Sequence, residues 1–405
     1  MAIDFHTFDA LLGDADALAE RRVLVRVDAN VPLEDGKVLD DNRLQQILTT
    51  IAALRQARAR TVLISHLGRP KGEVNPRFSL RPVAEHLGTL LGAPVVFGDD
   101  CVGDAARAAI DQVAPGEVAL LENLRFHRGE TQNDDAFAVR LAAHADVYVN
   151  DAFGTAHRAH ASTVGVPSRM ATKAAGLLLA RELNGLSRLL DAPEKPFVGI
   201  LGGAKISGKI DTLRNLLPRL DILLLGGGMA NTFLAARDIA LGRSLVEPDR
   251  IDVAREILAD AEARGTRVVL PQDLVVTDDF QNPSVVETVA ADRIADDRLA
   301  VDIGPVTRQA FLDACVEGAT IFWNGPLGVF EKPPFDAGTM AVAEGLPAAG
   351  GFAVIGGGET VAAVRRAGVA DQLGHVSTGG GASLDFLAGR TLPGVEALAR
   401  PEAAS

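Results

Sequence analysis

The sequence predicts an α/β protein of two domains, each a mostly parallel sheet covered by helices, joined through one long helix. Three observations carry this. Short apolar, β-branched runs alternate with helix-period segments along almost all 405 residues, the rhythm of parallel strands linked by crossover helices. The rhythm halts at the breaker cluster Ala192-Pro193-Glu194-Lys195-Pro196 and then restarts. The length also suits two or three domains of roughly 100–200 residues.

Taken in order, residues 23–30 (VLVRVDAN) read as a strand. Residues 42–59 put apolar side chains at 44, 47, 48, 51 and 54, one face of a helix. Residues 61–66 are again a strand, and 79–91 look helical. Residues 118–122 and 147–150 are strands, with a helical pattern near 134–143 between them. Residues 171–190 read as one long helix. After the breaker come FVGILGG, DILLLGGG, RVVLP, TIFWNG, FAVIGGG and HVSTGGG, each a strand running into a turn. The expected division is residues 1–170, a linker helix over 171–191, and residues 192–389.

Composition excludes several classes. Aromatics are 4% of the chain, so Ala, Val and Leu must supply the core. No apolar run reaches the roughly 18 residues of a membrane span. The acidic start MAIDFHTFDALLGDADALAE lacks the basic and apolar regions of a secretory signal. Cys101 and Cys315 cannot build a disulfide framework and fit a reducing compartment. A net charge of −13 argues against nucleic acid or an anionic membrane as partner. The expectation is a cytoplasmic protein with small-molecule partners.

Ligands of parallel α/β sheets bind beyond the carboxyl ends of the strands. In the first half those ends are Asp28-Ala29-Asn30, His66 to Pro70, Asn123 to Arg128, and Asn150 to His160. Four of the eight histidines fall there, each within three residues of an arginine. Arg43 opens the helix after the first strand. A cationic cluster of this kind, in an acidic chain, suits a small anion bearing a carboxylate or phosphate. In the second half the ends are glycine-rich: Gly202-Gly203-Ala204-Lys205, Gly226 to Gly228, Asn324-Gly325-Pro326, Gly356 to Gly358, and Gly379 to Gly381. Glycine lets backbone amides approach phosphate, and helix starts add partial positive charge. Two familiar fingerprints fail. Residues 203–210 have the P-loop spacing but end in Ile210, which has no hydroxyl for a metal. The Gly226 and Gly356 turns miss the last glycine of the dinucleotide motif. What remains is a division of labour suited to phosphoryl transfer, with a polyphosphate site in one half and a small acid in the other. A different carboxylate phosphotransferase and a two-lobed anion-binding protein are the rival readings.

VRVDANVP, SHLGRP, LLENLRFH, NDAFGTAHRAHAS, GGAKISGKI, LGGGMANTFL, WNGPLGVFE, GGGET and HVSTGGGASLDFL, in this order, resemble phosphoglycerate kinase. The resemblance runs from about Val23 to about Gly389. It implies two Rossmann-like domains facing each other across a cleft, a monomer, and a tail over 390–405 that returns to the first domain. It implies reversible transfer of the ATP γ-phosphoryl group to the carboxylate of 3-phosphoglycerate, giving 1,3-bisphosphoglycerate and ADP. Asp28, Asn30, Arg43, His66, Arg69, Arg125 and Arg158 would hold the phosphoglycerate. Arg43, Lys205, Gly358 and Gly380 would act on the moving phosphoryl group. Gly203, Lys209, Gly227, Ala300, Asn324, Glu331, Gly357, Gly358, Glu359 and Thr360 would bind ATP or ADP, with Glu359 serving Mg²⁺. The family usually has Asp at position 359 and Gly near position 300. His6, His86 and His144 match no motif and are expected to be surface or packing residues. Trp323 is expected in the core, and the two cysteines receive no role.

Overall fold

The computed structural model describes Phe8, Leu11 and residues 18–399. His6 and residues 400–405 lie outside that set. The chain divides into two compact units, Met1–Leu183 with Thr391–Ser405, and Asn184–Arg390.

The main sheet of the first unit is built from β1 (Arg22–Val27), β2 (Arg60–Ile64), β3 (Val95–Gly98), β4 (Val118–Leu121), β5 (Val147–Asp151) and β6 (Lys173–Ala175). Their spatial order is β3-β4-β2-β1-β5-β6 and every pairing is parallel. The central strands are buried along nearly their whole length, since helices cover both faces. Helix α1 (Asn42–Gln56) buries Leu44, Ile47, Ile51 and Leu54 against Val23, Val25 and Leu63. That is the face its periodicity predicts, with Leu48 only partly covered.

In the second unit β7 (Phe197–Leu201), β8 (Ile222–Leu225), β9 (Arg267–Val269), β13 (Thr320–Asn324), β14 (Phe352–Gly356) and β15 (His375–Val376) form another parallel sheet. The order is β9-β8-β7-β13-β14-β15. Counted within the sheet this is 3-2-1-4-5-6, the doubly wound order whose ligand crevice lies where the winding reverses, between β7 and β13. A three-stranded antiparallel sheet of β10 (Asp273–Thr277), β11 (Val286–Ala290) and β12 (Leu299–Ile303) is added to it. Trp323 is fully buried in this core and its indole N–H donates to the Gly325 carbonyl at 2.9 Å.

One sequence expectation needs correction. The helix expected over 171–191 begins only at Leu177 and ends at Leu190. Residues 173–175 are instead the edge strand β6, paired with Tyr148, Val149 and Asn150. Gly176 makes the corner: a Cβ there would run into the Asp151 carboxylate, which accepts from the amides of Leu178 at 2.9 Å and Leu179 at 3.1 Å and so starts the helix. Strand β3 and the antiparallel sheet carried no expectation. The tail boundary falls between Arg390 and Thr391, and the Gly394 carbonyl accepts from Asn150 Nδ2 at 3.2 Å.

Candidate active site

In the first unit the loops after β1, β2, β4 and β5 meet at one edge. Arg43, on the first turn of α1, donates to the Asn30 carbonyl at 2.8 Å and lies 3.4 Å from the Asp28 carboxylate. Asn30 Oδ1 accepts from the Gly68 amide at 2.8 Å, and Arg125 donates to the Gly68 carbonyl at 2.7 Å. The loops after three strands are thereby fixed to one another by polar side chains. Arg69, Lys71, Gly72, Arg125, Thr131, Arg158 and His160 line a cavity of about 290 Å³. Four permanent cations face it and no carboxylate lines it. Burial, with Arg158 and Arg26 as neighbours, pulls Arg125 down to about 10, so it stays charged at neutral pH but at a cost that a bound anion removes.

His66 is buried, and burial together with Arg26, Arg125, Arg158 and Arg43 holds it well below the ordinary histidine range. It is therefore neutral at pH 7. Its Nδ1 lies 3.1 Å from Arg26 Nη2, which can only donate, so the ring proton sits on Nε2. Arg26 was missed by sequence reasoning because it interrupts a hydrophobic strand. It is fully buried in β1, donates to Ser162 Oγ at 2.9 Å and also to the Val27 carbonyl. Ser162 in turn donates to Glu130 through its amide at 3.0 Å and its hydroxyl at 2.7 Å. Burial acts to raise Glu130, but His160, Arg26 and Ser162 outweigh it and hold the carboxyl below its usual range. A buried arginine is thus compensated by a buried carboxylate through one serine. The cavity lining contains Arg69, Arg125 and Arg158 of the expected set. Asp28, Asn30, Arg43 and His66 do not line it. Lys71, Thr131 and His160 were not expected as ligands; the run of cations was the available signal.

In the second unit a cavity of about 490 Å³ opens at the crevice between β7 and β13. One side is backbone: Gly203, Ala204, Gly227 and Gly228. Gly227 has φ of +63° and any Cβ would stand 2.7 Å from the Pro326 carbonyl, so only glycine fits. The opposite side is apolar, with Leu245, Phe280, Leu299, Ala300 and Val329, and Glu331 and Glu359 also line the cavity. Lys209 Nζ donates to the carbonyls of Gly202 at 2.6 Å and Asn324 at 3.0 Å, joining the ends of β7 and β13. Burial pulls it down to about 8, opposed by the charge of Glu359. Glu359 is itself raised by burial, then by the charge of Glu331 and a hydrogen bond between the two carboxyls. Two carboxyl groups side by side on one cavity wall could hold a divalent cation between them.

Of the expected nucleotide residues, Gly203, Gly227, Ala300, Glu331 and Glu359 line this cavity; Lys209, Asn324, Gly357, Gly358 and Thr360 do not. Thr360 is fully buried and its hydroxyl accepts from the Gly325 amide at 2.6 Å, which holds the turn after β13 against helix α2 (Gly358–Arg366). No side chain caps the first turn of α2, which starts from Gly357 at φ +87°. Lys205 is exposed, and its loop is held by Glu247 Oε2, which accepts from the amides of Ile206 at 2.6 Å and Ser207 at 3.2 Å. Gly380 precedes a short helix over Gly381–Leu387 with φ of +53°. Among the residues outside the expected set, His86 meets Asp41 at 2.9 Å on the surface, and buried His144 meets the Cys101 carbonyl at 3.1 Å.

A cation-lined anion pocket in one doubly wound unit and a glycine-floored, apolar-walled pocket in the other define a kinase acting on a small acid. The phosphoglycerate kinase family model matches residues 12–390. The chain is 52% identical to the phosphoglycerate kinase of Moorella thermoacetica over 381 residues, covering 94% of this chain and 97% of that one. It is 54% identical to the phosphoglycerate kinase of Desulforudis audaxviator over 382 residues, covering 94% and 97%. Its fold matches the structure of phosphoglycerate kinase from Coxiella burnetii with a TM-score of 0.87 at 38% identity, covering 98% of this chain and all of that one. The chain belongs to the phosphoglycerate kinase family.

Proposed function

We propose that this chain catalyses reversible transfer of the ATP γ-phosphoryl group to the carboxylate of 3-phosphoglycerate, giving 1,3-bisphosphoglycerate and ADP, a step of glycolysis and gluconeogenesis. The observation that carries this reading is a pocket with four cations and no carboxylate, in a chain of net charge −13. Such a pocket is unfavourable empty and is relieved by a small polyanion. Arg69, Arg125 and Arg158 bind the phosphoglycerate, their forks suited to phosphate and carboxylate oxygens. Asp28 and Asn30 orient Arg43 and the loop at Gly68, and His66 offers its Nε2 proton.

The acceptor carboxylate is ionised at neutral pH, given a carboxyl pKa near 4, so no residue has to act as base. The protein's part is positioning and charge stabilisation. Arg43, Lys205 and the amides at Gly358 and Gly380 stabilise negative charge on the phosphoryl group as it moves. Gly203, Gly227, Gly357 and Thr360 shape the backbone that meets the nucleotide, Lys209 donates to a phosphate, Asn324 holds the turn, and Ala300 lies against the base. Glu359, with Glu331 beside it, would hold Mg²⁺, which when bound neutralises phosphate charge. The enzyme works as a cytoplasmic monomer, with no nucleic-acid or membrane partner; among the described residues no helix is long and apolar enough to cross a membrane.

The test is ATP consumption with 3-phosphoglycerate and Mg²⁺, coupled to reduction of the acyl phosphate. Other carboxylates assayed alongside separate this reading from a different phosphotransferase. No turnover in either direction overturns it.

A further inference from the structure

Away from both pockets, the first unit assembles a cluster that the phosphoryl-transfer chemistry does not use. Strands β3 and β4 are parallel neighbours, with Gly98 opposite Leu121. The turn after β3 presents Asp100 and Cys101, and the loop after β4 presents His127. One ligand atom from each of Asp100, Cys101 and His127 lies within 4.8 Å of the other two. A tetrahedral zinc site with one sulfur, one nitrogen and one oxygen ligand has ligand atoms roughly 3.4–3.6 Å apart, from bond lengths of about 2.0–2.3 Å. The cluster therefore has to contract by little more than about an ångström to close on an ion of that kind.

Each ligand is already held in place. Asp100 Oδ1 accepts from the Cys101 amide at 2.6 Å, which leaves the other carboxylate oxygen for an ion. The Cys101 carbonyl accepts from His144 Nε2 at 3.1 Å, fixing the turn from the opposite side. The His127 ring stacks on Phe137 with centroids 5.1 Å apart. Its Nε2 lies 2.7 Å from Asp100 Oδ1. Cys101 is buried, while the side chains of His127 and Asp100 are 29% and 41% exposed. The thiol is thus shielded while solvent reaches the other two ligands, which gives an ion a way in and leaves room for water as fourth ligand.

We propose that Asp100, Cys101 and His127 form a binding site for a thiophilic divalent cation, Zn²⁺ or a similar ion, distinct from the Mg²⁺ of the nucleotide. The charge balance is exact for such an ion: a thiolate and a carboxylate neutralise the two positive charges, and the imidazole contributes none. On binding, Cys101 releases its thiol proton to solvent, and the His127 proton moves from Nε2 to Nδ1 as Nε2 turns from donor to ligand. Sulfur and imidazole ligands select Zn²⁺, Co²⁺ and Cd²⁺ over Mg²⁺ and Ca²⁺. The site would join the turns after β3 and β4, two residues from Arg125.

Co²⁺ titrated into the full chain tests this. One equivalent is expected to give tetrahedral d–d bands in the visible and a thiolate-to-cobalt charge-transfer band, both removed by stoichiometric Zn²⁺ and untouched by excess Mg²⁺. Cys101→Ser should abolish the charge-transfer band. His127→Gln, on a partly exposed ring, keeps the thiol and should raise the Co²⁺ concentration for half-saturation by roughly tenfold or more, at least the loss seen when supporting residues are removed. Cys315→Ser, in the other unit, should leave the spectrum as it is. A wild-type chain without the charge-transfer band, a band that survives Cys101→Ser, or a half-saturation unmoved in His127→Gln would each overturn the proposal.

Discussion

The two pockets stand at equivalent places, beyond the carboxyl ends of a doubly wound parallel sheet, yet they recognise by opposite means. The first is small, polar and made of side chains, with Arg69, Arg125 and Arg158 lining it and the loop at Gly68 tied to Asn30 on one side and Arg125 on the other. The second is larger and made of backbone on one side and apolar surface on the other, while Lys209 joins the ends of β7 and β13 without lining it. The contrast matches the ligands. A phosphoglycerate carries a phosphate and a carboxylate beside one hydroxyl, so a pocket of cations suits it. A nucleotide offers a flat base and a chain of phosphates, so it needs an apolar wall and many close amides.

The largest expected effect is on catalysis itself. Lys205→Ala should lower kcat by roughly a hundredfold or more, the loss of about 3–4 kcal/mol of transition-state charge contact, with ADP affinity nearly unchanged. A near-normal kcat with raised KM would make Lys205 a binding residue of the second pocket only. Next, Arg69→Ala should weaken 3-phosphoglycerate binding by roughly 10–100-fold, from hydrogen bonds to charged groups worth about 1.5–3 kcal/mol, and leave ADP binding intact. Calorimetry with each ligand alone decides it, and equal losses would mean the pockets are not segregated.

Glu359→Gln should raise the Mg²⁺ concentration for half-maximal rate by about tenfold, while Glu359→Asp retains activity; an unchanged Mg²⁺ dependence in the Gln variant would reduce Glu359 to a helix-end charge worth about 0.3–1 kcal/mol. The pockets should also part company with pH. Lys209 titrates at about 8 in the unliganded protein, and its charged form is the one that attracts phosphate. ADP affinity should therefore fall as pH rises through about 8, by up to about tenfold per unit, whereas phosphoglycerate affinity holds because Arg125 stays charged to about 10. Parallel pH profiles would break the contrast. The smallest effect is at Ala300: Ala300→Gly removes one methyl from the apolar wall, about 0.8 kcal/mol of burial, and should weaken ADP a few-fold. No change would show that the base does not lie against residue 300.

The same contrast explains what the sequence revealed. Side-chain recognition leaves residues in the sequence, so the cations at the ends of β2, β4 and β5 were legible before any fold was known. Backbone recognition leaves only glycine, so the floor of the second pocket was visible and its wall was not. Leu245, Phe280 and Val329 come from segments far apart in the chain, and nothing local distinguishes a Leu that lines a cavity from one that fills a core. Arg26 reads as an interruption of a strand until Ser162 and Glu130 are seen around it. Residues 173–175 hid inside a helical stretch because Lys and Ala favour helix locally, and pairing with β5 overrode that preference. Strand β11 was missed because its five residues are largely exposed and lack an apolar run.

Lys209 sets a limit of another kind, one of valence. An ammonium has three protons. Two are taken by the carbonyls of Gly202 and Asn324, at 2.6 and 3.0 Å. A single proton is left, and its direction is dictated by the other two. However strong its charge, this lysine can serve one phosphate oxygen and no more. A triphosphate carries many, so beyond Lys205 and the metal the rest fall to donors that come without side chains, and the crowding of glycine around the crevice follows from that one spare proton.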